Sequence, residues 1–117
     1  MKDFDSVIEI IKSGTLDCRA LAEYCRHPTL GIRGAAIMRL ADQCPDQDLT
    51  ISTLQSGARD DANRRFRVFG AASLAHVCVK LLMRMGSSEA QLAGKDLIRE
   101  WPNDDLRDLD MVLKGEL

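Results

Sequence analysis

His27-Pro28-Thr29-Leu30-Gly31-Ile32-Arg33-Gly34-Ala35-Ala36-Ile37-Met38-Arg39-Leu40-Ala41 returns in outline 34 residues later as Asp61-Ala62-Asn63-Arg64-Arg65-Phe66-Arg67-Val68-Phe69-Gly70-Ala71-Ala72-Ser73-Leu74-Ala75. An apolar residue precedes each Arg (Ile32, Phe66), a small residue stands three after it (Ala36, Gly70), and a Leu-Ala pair closes each stretch. A fixed internal period points to stacked units, each of which needs its neighbour to bury an apolar face. Both stretches space their apolar residues as a helix does, and no alternating β-branched run is long enough to claim a strand. The chain therefore reads as all-α, a compact helical array of about seven helices in one domain over residues 1–117.

Working outward, Ser6 and Glu9 have the spacing of a capping box and open a first helix through Val7, Ile8, Ile10 and Ile11, stopped at Ser13 and Gly14. Thr15 starts a second, with Leu16, Ala20, Leu21, Tyr24 and Cys25 on one face and His27-Pro28 at its end. The third begins near Thr29 and carries Ile32, Ala35, Ala36, Met38, Leu40 and Ala41 before Pro45, and the fourth runs from Pro45 or Asp46 with Leu49, Ile51 and Leu54 inward. The fifth, residues 62–85, is predicted to be the longest and central helix. Its apolar run, Val68 to Val79, is twelve residues, short of the roughly twenty that span a membrane. Ser88 and Gln91 open a sixth helix that Pro102 stops, and Asn103 caps a last one carrying Leu106, Leu109 and Leu113.

A helix, a turn, then an apolar residue and an Arg opening a second helix that continues small, Leu, Ala: this resembles the HEAT repeat family, of the armadillo/HEAT class. The residues that carry the resemblance are His27, Pro28, Ile32, Arg33, Ala36 and Leu40 in one unit and Asp61, Phe66, Arg67, Gly70 and Leu74 in the other. The resemblance covers about residues 15–85 and implies two stacked helix pairs capped by terminal helices. It also implies a hydrogen-bonded ladder between repeats, which would fall on Asp61 and Arg67 with Arg33 as the matching residue; the first unit has His27 where the acid is expected. Tetratricopeptide repeats share the 34-residue period but need large aromatics at set positions, and a non-repeat helical bundle is the plain alternative.

Sixteen basic and eighteen acidic residues nearly cancel, so no global field draws the chain to nucleic acid or an anionic membrane. Residues Met1 to Ser6 lack the apolar run of a secretory signal, and the cytoplasm is the expected location. Cys18, Cys25, Cys44 and Cys78 have no pair at metal-ligand spacing, and each falls in an apolar stretch. Four buried free thiols and no metal or cofactor are expected, with a disulfide as the lesser alternative.

No phosphate loop, serine elbow or paired acids can be found, and His27 and His76 lack neighbours that would make either a general base. The expectation is a non-catalytic protein-protein interaction module. Charge is unevenly spread: residues 59–84 carry a local +4 and residues 85–117 a local −4. Arg59, Arg64 and Arg65 are thus candidate partner-binding residues, although a solvated helix start paired with Asp60 and Asp61 is the plainer account. Their use on phosphates, as a nucleic-acid-binding module, is the alternative function. Asp104, Asp105 and Asp108 are the mirror candidates, facing a basic partner as in an inhibitor or small immunity-type protein. The expected binding face is the second-helix side of residues 29–43 and 62–84, and an exposed groove there would also drive self-association.

Overall fold

The computed structural model describes residues 4–69, 72–102 and 106–108. Seven α-helices and one short hairpin follow in order: α1 (Phe4–Ser13), α2 (Cys18–Tyr24), α3 (Leu30–Gln43), α4 (Asp48–Arg59), α5 (Asp61–Arg65), β1 (Arg67–Phe69), β2 (Ala72–Ser73), α6 (Leu74–Arg84) and α7 (Ser88–Glu100). A further helical turn covers residues 106–108, its Leu106 N–H bonded to the Pro102 carbonyl at 3.0 Å. The fold is all-α as expected. The capping region and most of the final predicted helix lie outside the described residues.

The caps explain several boundaries. Asp17, not Thr15, opens α2 by accepting the Ala20 N–H at 2.8 Å. α1 runs from Phe4, so Ser6 lies inside the helix and not at its N-cap. Ser87 caps α7 at the Ala90 N–H, while Gln91 reaches back to the Met85 carbonyl instead of closing a capping box with Ser88. Thr29 stands at the start of α3, as read. Gly14 ends α1 with a φ of +79°, a conformation that suits glycine.

The largest correction concerns residues 62–85. The chain does not form one helix there: α5 is five residues, the antiparallel β1–β2 hairpin reverses it, and α6 starts at Leu74. Phe66, Val68 and Phe69 are residue types that favour extended backbone. The restart is a capping box: Ser73 Oγ accepts the His76 N–H at 3.2 Å while His76 Nδ1 accepts the Ser73 N–H at 3.0 Å. Both residues are buried, and the His76 ring meets Trp101 edge-on with centroids 5.0 Å apart.

α6 is the central element, packed chiefly on α4 and α7, while α3 receives α1 and α2. Ile11, Leu21, Ala36, Leu40, Leu54, Leu82 and Leu97 are sealed into one continuous core. Close approach is achieved at glycines. A Cβ on Gly57 would stand 2.9 Å from Cys78 Sγ, and one on Gly94 would stand 2.7 Å from Met83 Sδ. In α4 the expected inward Leu49 is exposed, and Thr50 and Thr53 are buried in its place. Their hydroxyls donate to the Cys44 and Leu49 carbonyls, both at 2.6 Å, which removes the penalty of burying them.

The expectation of four free thiols is also overturned. Cys18 and Cys44 form a disulfide, with Cα atoms 6.2 Å apart, whereas Cys25 and Cys78 are free and buried. Sequence spacing gave no hint of this pairing, because it arises when α3 runs back along α2 and brings its C-terminal end to the first turn of α2.

A second link ties two turns together. Asp46, in the turn between α3 and α4, adopts a φ of 64°, and its Oδ1 accepts the Ser87 N–H at 2.9 Å just before α7.

Candidate functional site

Arg33 lies in the first turn of α3 and its side chain is only 12% exposed. Nε donates to the His27 carbonyl at 3.0 Å, and Nη1 donates to Asp60 Oδ1 at 3.2 Å and Asn63 Oδ1 at 2.9 Å. Asn63, itself buried, donates through Nδ2 to the Gly57 carbonyl at 2.9 Å, and Asp60 caps α5 at the Asn63 N–H, 3.0 Å away. One guanidinium thereby joins the turn after α2, the end of α4 and the start of α5. The sequence offers Asp60 only as a partner of the basic residues beside it and does not single out Asn63; in the structure Asp60 pairs with Arg33. The available signal was Asp60 itself, an acid three residues ahead of Asn63 and just past a helix end, which is N-cap spacing.

Beside this node is a cavity of about 340 Å³, lined by Cys25, Arg26, Arg33, Ile37, Thr53, Ser56, Gly57, Asp60 and Asn63. Burial pushes the Cys25 thiol up to about 12, against an opposing pull from Arg26 and then Arg33, so the thiol is neutral at physiological pH. Burial likewise pushes the Cys78 thiol upward. Neither is poised as a nucleophile.

The other sequence candidates are dispersed. Arg59 forms a two-point ion pair with Glu100 of α7, Nε to Oε2 at 3.2 Å and Nη2 to Oε1 at 3.1 Å. Arg64 is half-buried, and Arg65, Asp61 and Arg67 are exposed, Asp61 in α5 and Arg67 in β1. Lys80, counted in the same basic stretch, is buried along α6. Of the acidic set, Asp104 and Asp105 lie outside the described residues and Asp108 is half-buried in the turn at 106–108. The local +4 of the sequence thus does not become one basic patch.

A different surface stands out. Met38, on α3, is 44% exposed, unlike its neighbours Ile37 and Leu40 in the core. It separates two shallow depressions: one of about 440 Å³ with Lys12, Ala35, Arg39 and Asp42, the other of about 350 Å³ with Ala41, Leu81, Arg84 and Met85 among its walls. Arg39 is drawn sideways along α3, Nε to Gln43 Oε1 at 3.1 Å, and Arg84 stands at the far rim. The sequence reading placed Met38 with the apolar face of α3; the structure turns it outward, next to the half-buried Ala35 and Ala41.

Among the described residues, no group of three His, Cys, Asp or Glu side chains is placed to hold a metal ion, and no helix is long and apolar enough to cross a membrane. Compared with known protein families, curated proteins and solved structures, the chain finds no match.

Proposed function

We propose that this chain is a non-catalytic protein-protein interaction module, an adaptor, inhibitor or small immunity-type protein, that docks a partner on the α3–α6 face around Met38. The observation that supports it is the exposure of Met38 between two depressions, with the half-buried Ala35, Ala41 and Leu81 extending the apolar surface across two helices. Methionine suits this use, because its flexible, polarisable side chain fits irregular partner surfaces. Lys12, Arg39, Asp42 and Arg84 supply the charged rim common to such interfaces. Met38, Ala35, Ala41 and Leu81 fall in the two segments expected from the repeat, residues 29–43 and 62–84, while Lys12 and Met85 lie outside them. The HEAT-like reading remains part of this proposal, supported by the Arg33 node that ties successive helical pairs together.

Nucleic-acid binding through Arg59, Arg64 and Arg65 gains no specific support, since Arg59 is already engaged by Glu100. The proposed location is the cytoplasm, with a condition attached to the disulfide: a reducing compartment would hold Cys18 and Cys44 as thiols, and the bond would form there only on oxidation. Mapping thiol states by alkylation in freshly lysed native cells decides it.

The functional test is co-purification from the native cell with wild-type, Met38→Asp and Arg64→Glu/Arg65→Glu forms. The proposal expects a stoichiometric partner that is lost with Met38→Asp and kept with the double arginine variant. The reverse pattern contradicts it. Sedimentation of the purified chain separates the remaining case, a second copy on the same face, which would give a concentration-dependent dimer that Met38→Asp dissolves.

A further inference from the structure

The cavity beside Arg33 shares no lining residue with the Met38 face, and its chemistry is different. A guanidinium carries five N–H groups. Three of those on Arg33 are spent, one from Nε on the His27 carbonyl and two from Nη1 on Asp60 and Asn63. Nη2, with the remaining two, has no partner among the described residues. No buried side-chain nitrogen or oxygen among those residues lacks a partner either, so Nη2 is open to solvent, on a residue that lines the cavity. The clamp of three acceptors fixes the guanidinium, so a ligand reaching Nη2 meets a donor that is already ordered.

The rest of the cavity narrows the ligand. Arg26 at the wall and Arg33 provide two positive charges against one from Asp60, a local excess of one. Ile37, the neutral Cys25 thiol and the methyl of Thr53 give an apolar side, and the Thr53 hydroxyl is occupied by the Leu49 carbonyl. Ser56, exposed on α4, stands at the mouth. A volume of about 340 Å³ lies at the small end of ligand pockets. We infer that this cavity is a binding site for a small organic monocarboxylate, its carboxylate on Arg33 Nη2 and Arg26 and its short apolar chain against Ile37 and Cys25. A single negative charge neutralises the excess; a dianion such as phosphate would add a charge beside Asp60 with nothing to balance it.

The inference is independent of the partner-docking reading, and its test keeps the two apart. Butyrate, neutral butyramide and inorganic phosphate are titrated at constant ionic strength into the oxidised full-length chain, and backbone amide shifts are followed by NMR. Saturable shifts with butyrate at millimolar concentration, clustered at Cys25, Arg33, Ser56, Gly57 and Asn63, are expected, with at least about tenfold weaker response to butyramide, the usual scale for losing one charge-assisted contact. Phosphate binding equal to butyrate overturns the monocarboxylate assignment, and shifts that are absent or spread over the surface overturn the site.

Because Arg33 also supports the fold, the decisive variants are at the wall and mouth. Ser56→Leu, which fills the opening, should abolish butyrate shifts with unchanged melting, and Arg26→Ala should weaken binding several-fold. Wild-type butyrate affinity in Ser56→Leu overturns the placement. Met38→Asp should bind butyrate normally whether or not it keeps its protein partner; loss of butyrate binding in that variant overturns the separation of the two sites.

Discussion

Arg33 and Arg67 stand at matching places in the 34-residue echo but live in different surroundings. Arg33 opens a fourteen-residue helix and is held by acceptors from three segments; Arg67 sits exposed in a three-residue strand. The sequence shows why the two diverge. Arg33 reaches its side-chain acceptors 27 and 30 residues ahead, at Asp60 and Asn63. The same steps from Arg67 arrive at Gly94 and Leu97, neither of which has a side chain able to accept a hydrogen bond, and both of which are buried in α7. The acceptors that hold Arg33 therefore have no counterpart at the same spacing from Arg67. The arginine network that the structure describes joins Arg33, Asp60 and Asn63.

The comparison can be broken most sharply by removing each arginine. Arg33→Ala should cost about 2–3 kcal/mol in urea denaturation, because it removes three hydrogen bonds made by a side chain only 12% exposed, while Asp60 keeps the Asn63 N–H and, at 42% exposed, reaches solvent. Arg67→Ala should cost less than about 1 kcal/mol, the range for an exposed charged side chain. Equal losses would end the distinction. Similar in size is the disulfide, which closes a 26-residue separation entirely within the Arg33 half; Cys18→Ser/Cys44→Ser should lower stability by about 3 kcal/mol.

Glycines sharpen the contrast at a smaller scale. Gly57→Ala would push a methyl to 2.9 Å from Cys78 Sγ and should destabilise by about 1–3 kcal/mol. At Gly34 the nearest atom to such a methyl is Leu74 Cδ1 at 3.7 Å, an ordinary contact, so Gly34→Ala inside α3 should be neutral or stabilise by up to about 1 kcal/mol. Thermal denaturation of both variants checks the pair.

The last effect appears only at alkaline pH. Cys25 is raised from an ordinary 9.0 to about 12 by burial, so the folded state favours the neutral thiol. That contribution is complete below the unfolded-state value and is lost as pH climbs from about 9 towards about 12, with a slope of up to about 1.4 kcal/mol per pH unit for one thiol. Cys25→Ala should flatten the fall between about pH 9 and pH 11 by that amount in urea titrations. An unchanged profile would mean that Cys25 is not sealed beside Arg33.

How far the sequence could be read follows the same physics. The helical class, Thr29 at the start of α3, Gly14 at the end of α1 and the stop at Pro102 rest on local signals that tertiary contacts did not override. The continuous helix over residues 62–85 failed because its restart depends on His76 closing a capping box with Ser73, where the usual partner is Glu or Gln. Polarity alone misplaces Thr50 and Thr53, because a threonine hydroxyl can be satisfied on nearby backbone, here the Cys44 carbonyl before α4 and the Leu49 carbonyl within it. Of the candidate site, Arg33 was visible as a structural residue, but Asp60 and Asn63 became its partners only once α4 and α5 folded against α3. Met38 was legible as apolar and not as exposed. Its direction depends on α1 and α6 packing to either side of it, which one helical period does not report.

The most direct test of the interaction reading is amide hydrogen exchange of the chain with and without its co-purified partner. Protection confined to residues 35–42 of α3 and 81–85 at the end of α6 is the predicted result. Protection centred on residues 59–67, with α3 unchanged, would contradict it.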